Sequence, residues 1–190
     1  MRIKFAAAAV LLLLVTSVQA EDGKMKAAVD AFAKQFEGSW VSESELDSDA
    51  PGIGKKGDRL IGHLTFKKQD GLIEVSWHGE NNGKPVGTRA RGIIGWDVKA
   101  EKLRVRWFSS GGANGTVVYT HAGDHWSNKI NVVDPDGTPF SADQRMSFPK
   151  DGSYTVKMTN RKNGDESLPD REIVWHRGKK LKKSKKSKKK

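Results

Sequence analysis

The chain has 190 residues, 36% of them hydrophobic, with 34 Lys+Arg against 23 Asp+Glu (net charge +11) and no cysteine. That length supports a single domain with its own core, and the absence of cysteine excludes a disulfide scaffold, so burial must hold the fold together. Nine lysines crowd into residues 178–190 and two bases, Arg2 and Lys4, into the start; without them, 23 bases balance the 23 acids, so the neutral body gives no sign of a folded basic face for nucleic acid.

In chain order, the first segment is "MRIKFAAAAVLLLLVTSVQA". Two positive charges, an apolar run from Phe5 to Val15, and small residues at Val18 and Ala20 have the layout of a secretory signal peptide. The apolar run falls short of the ~20 residues that cross a bilayer, so residues 1–20 are expected to be a leader rather than an anchor. Cleavage after Ala20 would leave a secreted or periplasmic chain. Next, Met25, Val29, Phe32 and Phe36 share one face of a helix predicted over 24–36, with Gly38 as its stop.

Strand signals then follow one another to the end of the body. Segments of alternating or β-rich sequence are expected near 39–45, 58–68, 72–79, 86–96, 102–109, 115–121, 125–133, 139–148, 152–160 and 170–177, separated by Gly, Asp, Asn and Pro. Links such as "QDG" at 69–71 and "DPDG" at 134–137 suit antiparallel neighbours and are too short for crossover helices. The pattern predicts an all-β fold: about ten strands in an antiparallel up-and-down barrel, closed so as to leave no free edge, with a short N-terminal helix. Residues 21–177 would form this one domain.

Alternation assigns the faces. Ile73, Val75 and Trp77 oppose Glu74, Ser76 and His78. Leu103, Val105 and Trp107 oppose Arg104 and Arg106. Trp126, Ile130 and Val132 oppose Ser127, Lys129 and Asn131, and Tyr154, Val156 and Met158 oppose Thr155 and Lys157. A barrel of about ten strands can be wider than its side chains fill. Trp77, Trp107, Trp126 and Tyr154 are the expected lining of such a cavity.

"FEGSW" at 36–40 places a Gly-x-Trp at the start of the first strand, after a short helix, and so resembles the lipocalin signature. "GIIGWD" at 92–97, "LRVRWFSSGG" at 103–112, "GDHW" at 123–126 and "DPDGTPFSADQRMSF" at 134–148 resemble a family of lipocalin-like β-barrel domains of unknown function from bacterial secreted proteins. Some members of that family follow a SnoaL-like domain in longer chains, whereas residues 21–177 here are expected to form the barrel domain alone. The resemblance implies a barrel in which Trp40 closes the floor beside a cation from the last strand, Arg177 or Arg171. A related group binds haem and carries Gly-x-Trp-x-Gly-x-Gly, but here Val41, Ser42, Glu43 and Ser44 follow Trp40. Alternation also turns His176 outward, so no cofactor is expected.

Other motifs read as structure. "GIGKKG" at 52–57 fits Gly-x-Gly-x-x-Gly but lacks the preceding strand and following helix of a dinucleotide site. It is expected to be a flexible loop between the first two strands; the 46–57 segment would flank the barrel mouth as a lid. His121, Asp124 and His125 form a turn with no third histidine nearby, so no metal site is assigned. "DPDG" lacks the later carboxylate of a calcium loop. There is no Gly-x-Ser-x-Gly elbow, and nothing pairs Glu74 with Glu80 for acid–base work, so no catalytic residue is named. Arg89, Arg91, Arg104 and Arg106 either stand on a solvated outer face or, in the inverted register, line the cavity and select an anion.

Binding of a small apolar or amphipathic molecule in the cavity is the expected role, by a monomer. An enzyme using the same cavity, or a structural or adhesive module without a ligand, are the alternatives. The terminal run 178–190 cannot bury apolar area and is expected to be disordered. Its lysines, among them Lys179, Lys180, Lys182, Lys183, Lys185 and Lys186, would tether the barrel to an anionic surface or polyanion. Without arginine forks or aromatic rings, they give no basis for specific nucleic-acid recognition.

Overall fold

The computed structural model describes residues 23–149 and 151–178. The expected leader and the tail lysines lie outside these residues. A helix, α1 (23–36), precedes eleven strands. They are β1 (Gly38–Glu45), β2 (Arg59–Gln69), β3 (Leu72–Asn81), β4 (Lys84–Asp97), β5 (Lys102–Ser109), β6 (Asn114–Ala122), β7 (His125–Val133), β8 (Pro139–Ser147), β9 (Ser153–Asn163), β10 (Glu166–Leu168) and β11 (Arg171–Arg177). No helix among the described residues is long and apolar enough to cross a membrane.

Every neighbouring pair is antiparallel, and the strands follow chain order from β1 to β8. Pairing of β8 with β9, β9 with β11 and β11 with β1 closes the ring. β10 and β11 act as one strand. Leu168 faces Arg161 and Arg171 faces Met158 in a single unbroken register, interrupted only at Pro169–Asp170. Proline has no amide to donate to the ladder, which accounts for the gap. The architecture is a closed ten-stranded antiparallel barrel with one short helix.

Interior faces follow the alternation. Ile73, Leu103, Val105, Trp126, Val132, Tyr154, Val156 and Met158 are buried. Among the described residues, non-glycine left-handed backbone occurs at the turn residues Asp70, Asn82 and Glu101 and, inside β9, at Asn160, where it changes the barrel's lining. Asn160 adopts φ 51° where the β8–β9 register slips between Ser141 and Asp143. This is a bulge: one extra residue on β9 inverts the in–out order beyond it. Strict alternation after Met158 would point Asn160 inward, yet Asn160 is exposed and Arg161 buried.

α1 plugs one end. Val29, Phe32, Ala33 and Phe36 are buried against the strands, with the Phe32 and Phe36 rings stacked 4.2 Å apart. Around them pack Trp126, 5.0 Å from Phe32, and Tyr154, 5.4 Å from Phe36, both in edge contacts. The helix's last carbonyls need donors. Trp40 Nε1 donates to Phe36 O at 2.6 Å, and Arg177 donates to Glu37 O at 2.8 Å and Gln35 O at 3.1 Å.

Candidate ligand cavity

Above the helix plug the barrel keeps a cavity of about 500 Å³, open at the other end. Its walls are mostly apolar: Leu64, Phe66, Val75, Val105, Val117, Ile130 and Val132, with the indoles of Trp77 and Trp107. Tyr119 and Gln144 stand in the wall towards the helix end, and Tyr119 packs edge-on to Phe32 at 5.0 Å. Burial raises the pKa of the Tyr119 phenol well above its ordinary value, so it stays neutral. Between Tyr119 and Gln144 in the ladder lies Asn128, 8% exposed, with neither amide atom hydrogen-bonded among the described residues.

The tryptophans owe their positions to glycines. Trp107 lies between Gly92 and Gly115 on the adjacent strands. A Cβ on Gly115 would come within 2.8 Å of the Trp107 ring, and one on Gly92 within 2.7 Å of Trp107 Cβ. Trp77 similarly covers Gly79 and Gly62, where added Cβ atoms would meet its ring at 3.0 and 3.2 Å. Large rings spread over bare backbone leave the middle of the barrel open, which ten inward-facing bulky residues would not.

The mouth is polar on one side. Arg161 donates to Asp47 Oδ2 at 2.5 Å and Oδ1 at 3.2 Å, and to Pro169 O at 2.7 Å. Arg171 reaches Asp47 Oδ1 at 3.4 Å and donates to Ser44 Oγ at 3.0 Å and Glu45 O at 2.8 Å. Burial would push the Asp47 carboxyl pKa up, but the Arg161 hydrogen bond and the charge of Arg171 outweigh it and hold it below the ordinary value. Sequence alternation missed Arg161, because the Asn160 bulge lies between it and the inward residues that were legible. Arg171, expected as a possible neighbour of Trp40, belongs instead to this mouth cluster.

The 46–57 segment covers part of the mouth: Leu46, Asp47, Ser48, Asp49, Ala50, Pro51 and Ile53 border the cavity. It is not the loose loop expected. Ala50 and Gly54 form an antiparallel bridge, Leu46 N donates to Asp58 O, and Gly57 N donates to Leu46 O. Asn81 Nδ2 donates to Ile53 O at 2.9 Å, and Thr88 Oγ1 to Gly52 O at 3.3 Å, tying it to β3 and β4.

Of the expected cavity residues, Trp77 and Trp107 border the opening. Trp126 and Tyr154 do not: both face inward but lie in the packed plug with α1, where Trp126 Nε1 donates to Gln35 Oε1 at 2.6 Å. Trp40 is 2% exposed, and Arg177 lies over its ring, 4.6 Å from the centroid. Arg89, Arg91 and Arg106 are exposed, and Arg104 pairs with Asp97 at 2.5 Å. By alternation all four side chains stand on the outer face, beside the exposed Ile93 and Phe108, and of the four only Arg91 also borders the cavity. His176 is exposed. His121 stacks on Trp126, and His125 Nδ1 lies 2.9 Å from Asp124 Oδ1. No group of three or more His, Asp or Glu converges on a metal position among the described residues.

By sequence, the chain matches no protein-family model and no curated protein. By structure it is similar to Rv2717c from M. tuberculosis, at 13% identity and a TM-score of 0.55, over 80% of this chain and 98% of that one. It also aligns with a de novo designed fluorescence-activating β-barrel, at 17% identity and a TM-score of 0.37, over 77% of this chain and 96% of that one. The likeness to Rv2717c is one of fold.

Proposed function

We propose that the protein is an exported carrier or sensor that holds a small amphipathic molecule inside its barrel. The observation that carries this reading is the cavity of about 500 Å³ with apolar, indole-lined walls and one open end. Small-molecule sites span roughly 300–1,000 Å³ and combine mostly apolar walls with a few fixed polar groups, as here. A binding role draws on this shape alone, whereas catalysis would need a converging acid, base or nucleophile, for which no observation speaks.

Export rests on the sequence of residues 1–20, and membership of the lipocalin-like family on "FEGSW" together with the Trp40–Arg177 stack. The lysine run beyond Gly178 serves as a tether, each lysine near an anionic surface contributing about 1 kcal/mol at moderate ionic strength. Native mass spectrometry of protein purified from its host tests the binding reading. The expected spectrum shows a non-covalent adduct of small mass, lost on activation. Only bare protein, combined with no uptake of added amphiphiles, would refute it.

A further inference from the structure

Arg161 is 4% exposed, and its Nε is buried without a hydrogen-bond partner among the described residues. Its two terminal nitrogens are committed to Asp47 and the Pro169 carbonyl. Arg171 shares the same carboxylate. Two guanidiniums, both bordering the cavity, thus divide one carboxylate between them, leaving an excess positive charge next to apolar walls. A buried charge without a full counter-charge is costly, and the cost falls when an anion arrives with hydrogen-bond acceptors.

Asp49 and Asp134 also border the cavity, but among the described residues the two arginines pair only with Asp47. Asp49 faces the loop instead, its Oδ1 accepting from Lys56 N at 2.9 Å. Asp134 makes no ion pair with either arginine among the described residues, and burial, then the nearby Asp136, raises its pKa. Arg171 carries the complementary sign: burial lowers its pKa, Asp47 raises it and Arg161 lowers it further, with a net fall.

We infer that the ligand is an amphipathic anion, with a carboxylate-sized head on Arg161 and Arg171 beneath the 46–57 segment and an apolar body between Trp77 and Trp107. This rests on the reading of the cavity as a ligand site. Asp47 then acts as an internal competitor for the head, occupying the guanidiniums until the ligand displaces part of its bonding. The four outer-face arginines take no part.

Calorimetric titration of the full chain with decanoate, decanol and decyltrimethylammonium separates the inference from the reading beneath it. Decanoate is expected to bind about tenfold more tightly than decanol, with the cation weakest. Asp47→Asn should tighten decanoate binding severalfold and leave decanol unchanged, because it frees both guanidiniums without altering the apolar walls. Arg171→Met should weaken decanoate alone. Arg161→Met is the more direct variant but removes a buried network, so Arg171→Met and Asp47→Asn carry the test. Adsorption of decanoate to the lysine run would be identical in all variants. Decanol binding as tightly as decanoate, or Asp47→Asn weakening decanoate, would overturn the anionic assignment and leave the cavity reading standing. Failure of all three compounds to bind would overturn both.

Discussion

Arg177 stacks its guanidinium on the indole of Trp40, 4.6 Å from the ring centroid, while donating to the Glu37 and Gln35 carbonyls at the end of α1. One side chain thus joins the last strand, the first strand and the helix that plugs the barrel. Trp40→Ala is expected to cost about 3–5 kcal/mol, since the ring is buried and donates to Phe36 O. Arg177→Ala should cost less, about 1–2 kcal/mol, because the Arg177 side chain is itself exposed. Urea unfolding checks both, and equal losses for the two variants would contradict the division of roles.

The Gly115–Trp107 contact makes a second prediction. Gly115→Ala places a methyl group within 2.8 Å of both the ring and the Asn131 carbonyl oxygen. The ring must move towards the cavity, at about 1–3 kcal/mol for overpacking. Lower stability together with weaker uptake of a cavity ligand is the expected pair of effects in urea and titration measurements. Unchanged values for both would mean the glycines do not set the indole's position.

The strands were legible because each inward residue alternates with a polar one, and Trp77, Trp107, Tyr154 and Met158 all face as their patterns indicate. Alternation gives inside against outside but not height along the barrel axis. Trp126 and Tyr154 therefore looked like cavity wall, although the aromatic face of α1, Phe32 and Phe36, fills their level. The Arg161 site was hidden for a different reason: the bulge turns on Asn160 entering left-handed backbone, which asparagine tolerates but does not require. The mouth cluster also joins residues far apart in sequence, such as Asp47 and Arg171, and no local pattern links them.

Two limbs of the pH profile should follow from groups whose pKa the fold shifts. Asp47 has a folded-state pKa below its unfolded value of about 3.9, so its contribution is present above that pH and lost as pH falls through the lower folded value. Asp47→Asn should flatten part of the acid limb. It will not abolish it, because Asp30, lowered to about 2 chiefly by its hydrogen bond from Lys26, titrates there too. Tyr119 has a folded pKa raised by burial, as does Tyr154, so neither penalises the fold until pH rises past the unfolded value of about 10. Tyr119→Phe should therefore unfold at higher pH than the parent. Urea midpoints measured across pH give both limbs, and identical profiles for parent and variants would contradict the assignments.

Removing the lysine run is expected to change partition rather than folding. Gly178 N donates to Ser39 O at 2.7 Å and completes the ladder, so residues 179–190 can be removed without breaking it. Truncation should abolish retention on heparin or anionic vesicles at low salt and leave Tm almost unchanged. Retention by the truncated chain would place the basic surface on the barrel, with Arg89, Arg91 and Arg106 the first residues to examine.

If ligand enters the barrel between Trp77 and Trp107, the chain's six tryptophans report it residue by residue. Each indole N–H gives its own signal in a nitrogen–proton correlation spectrum, so decanoate can be titrated while all six are followed. Saturable shifts are expected at Trp77 and Trp107 and at the Nε–H of Arg161, with Trp40 and Trp126, sealed around α1, nearly still. Shifts confined to the outer face around Arg91 and Phe108, or none at any indole, would contradict it.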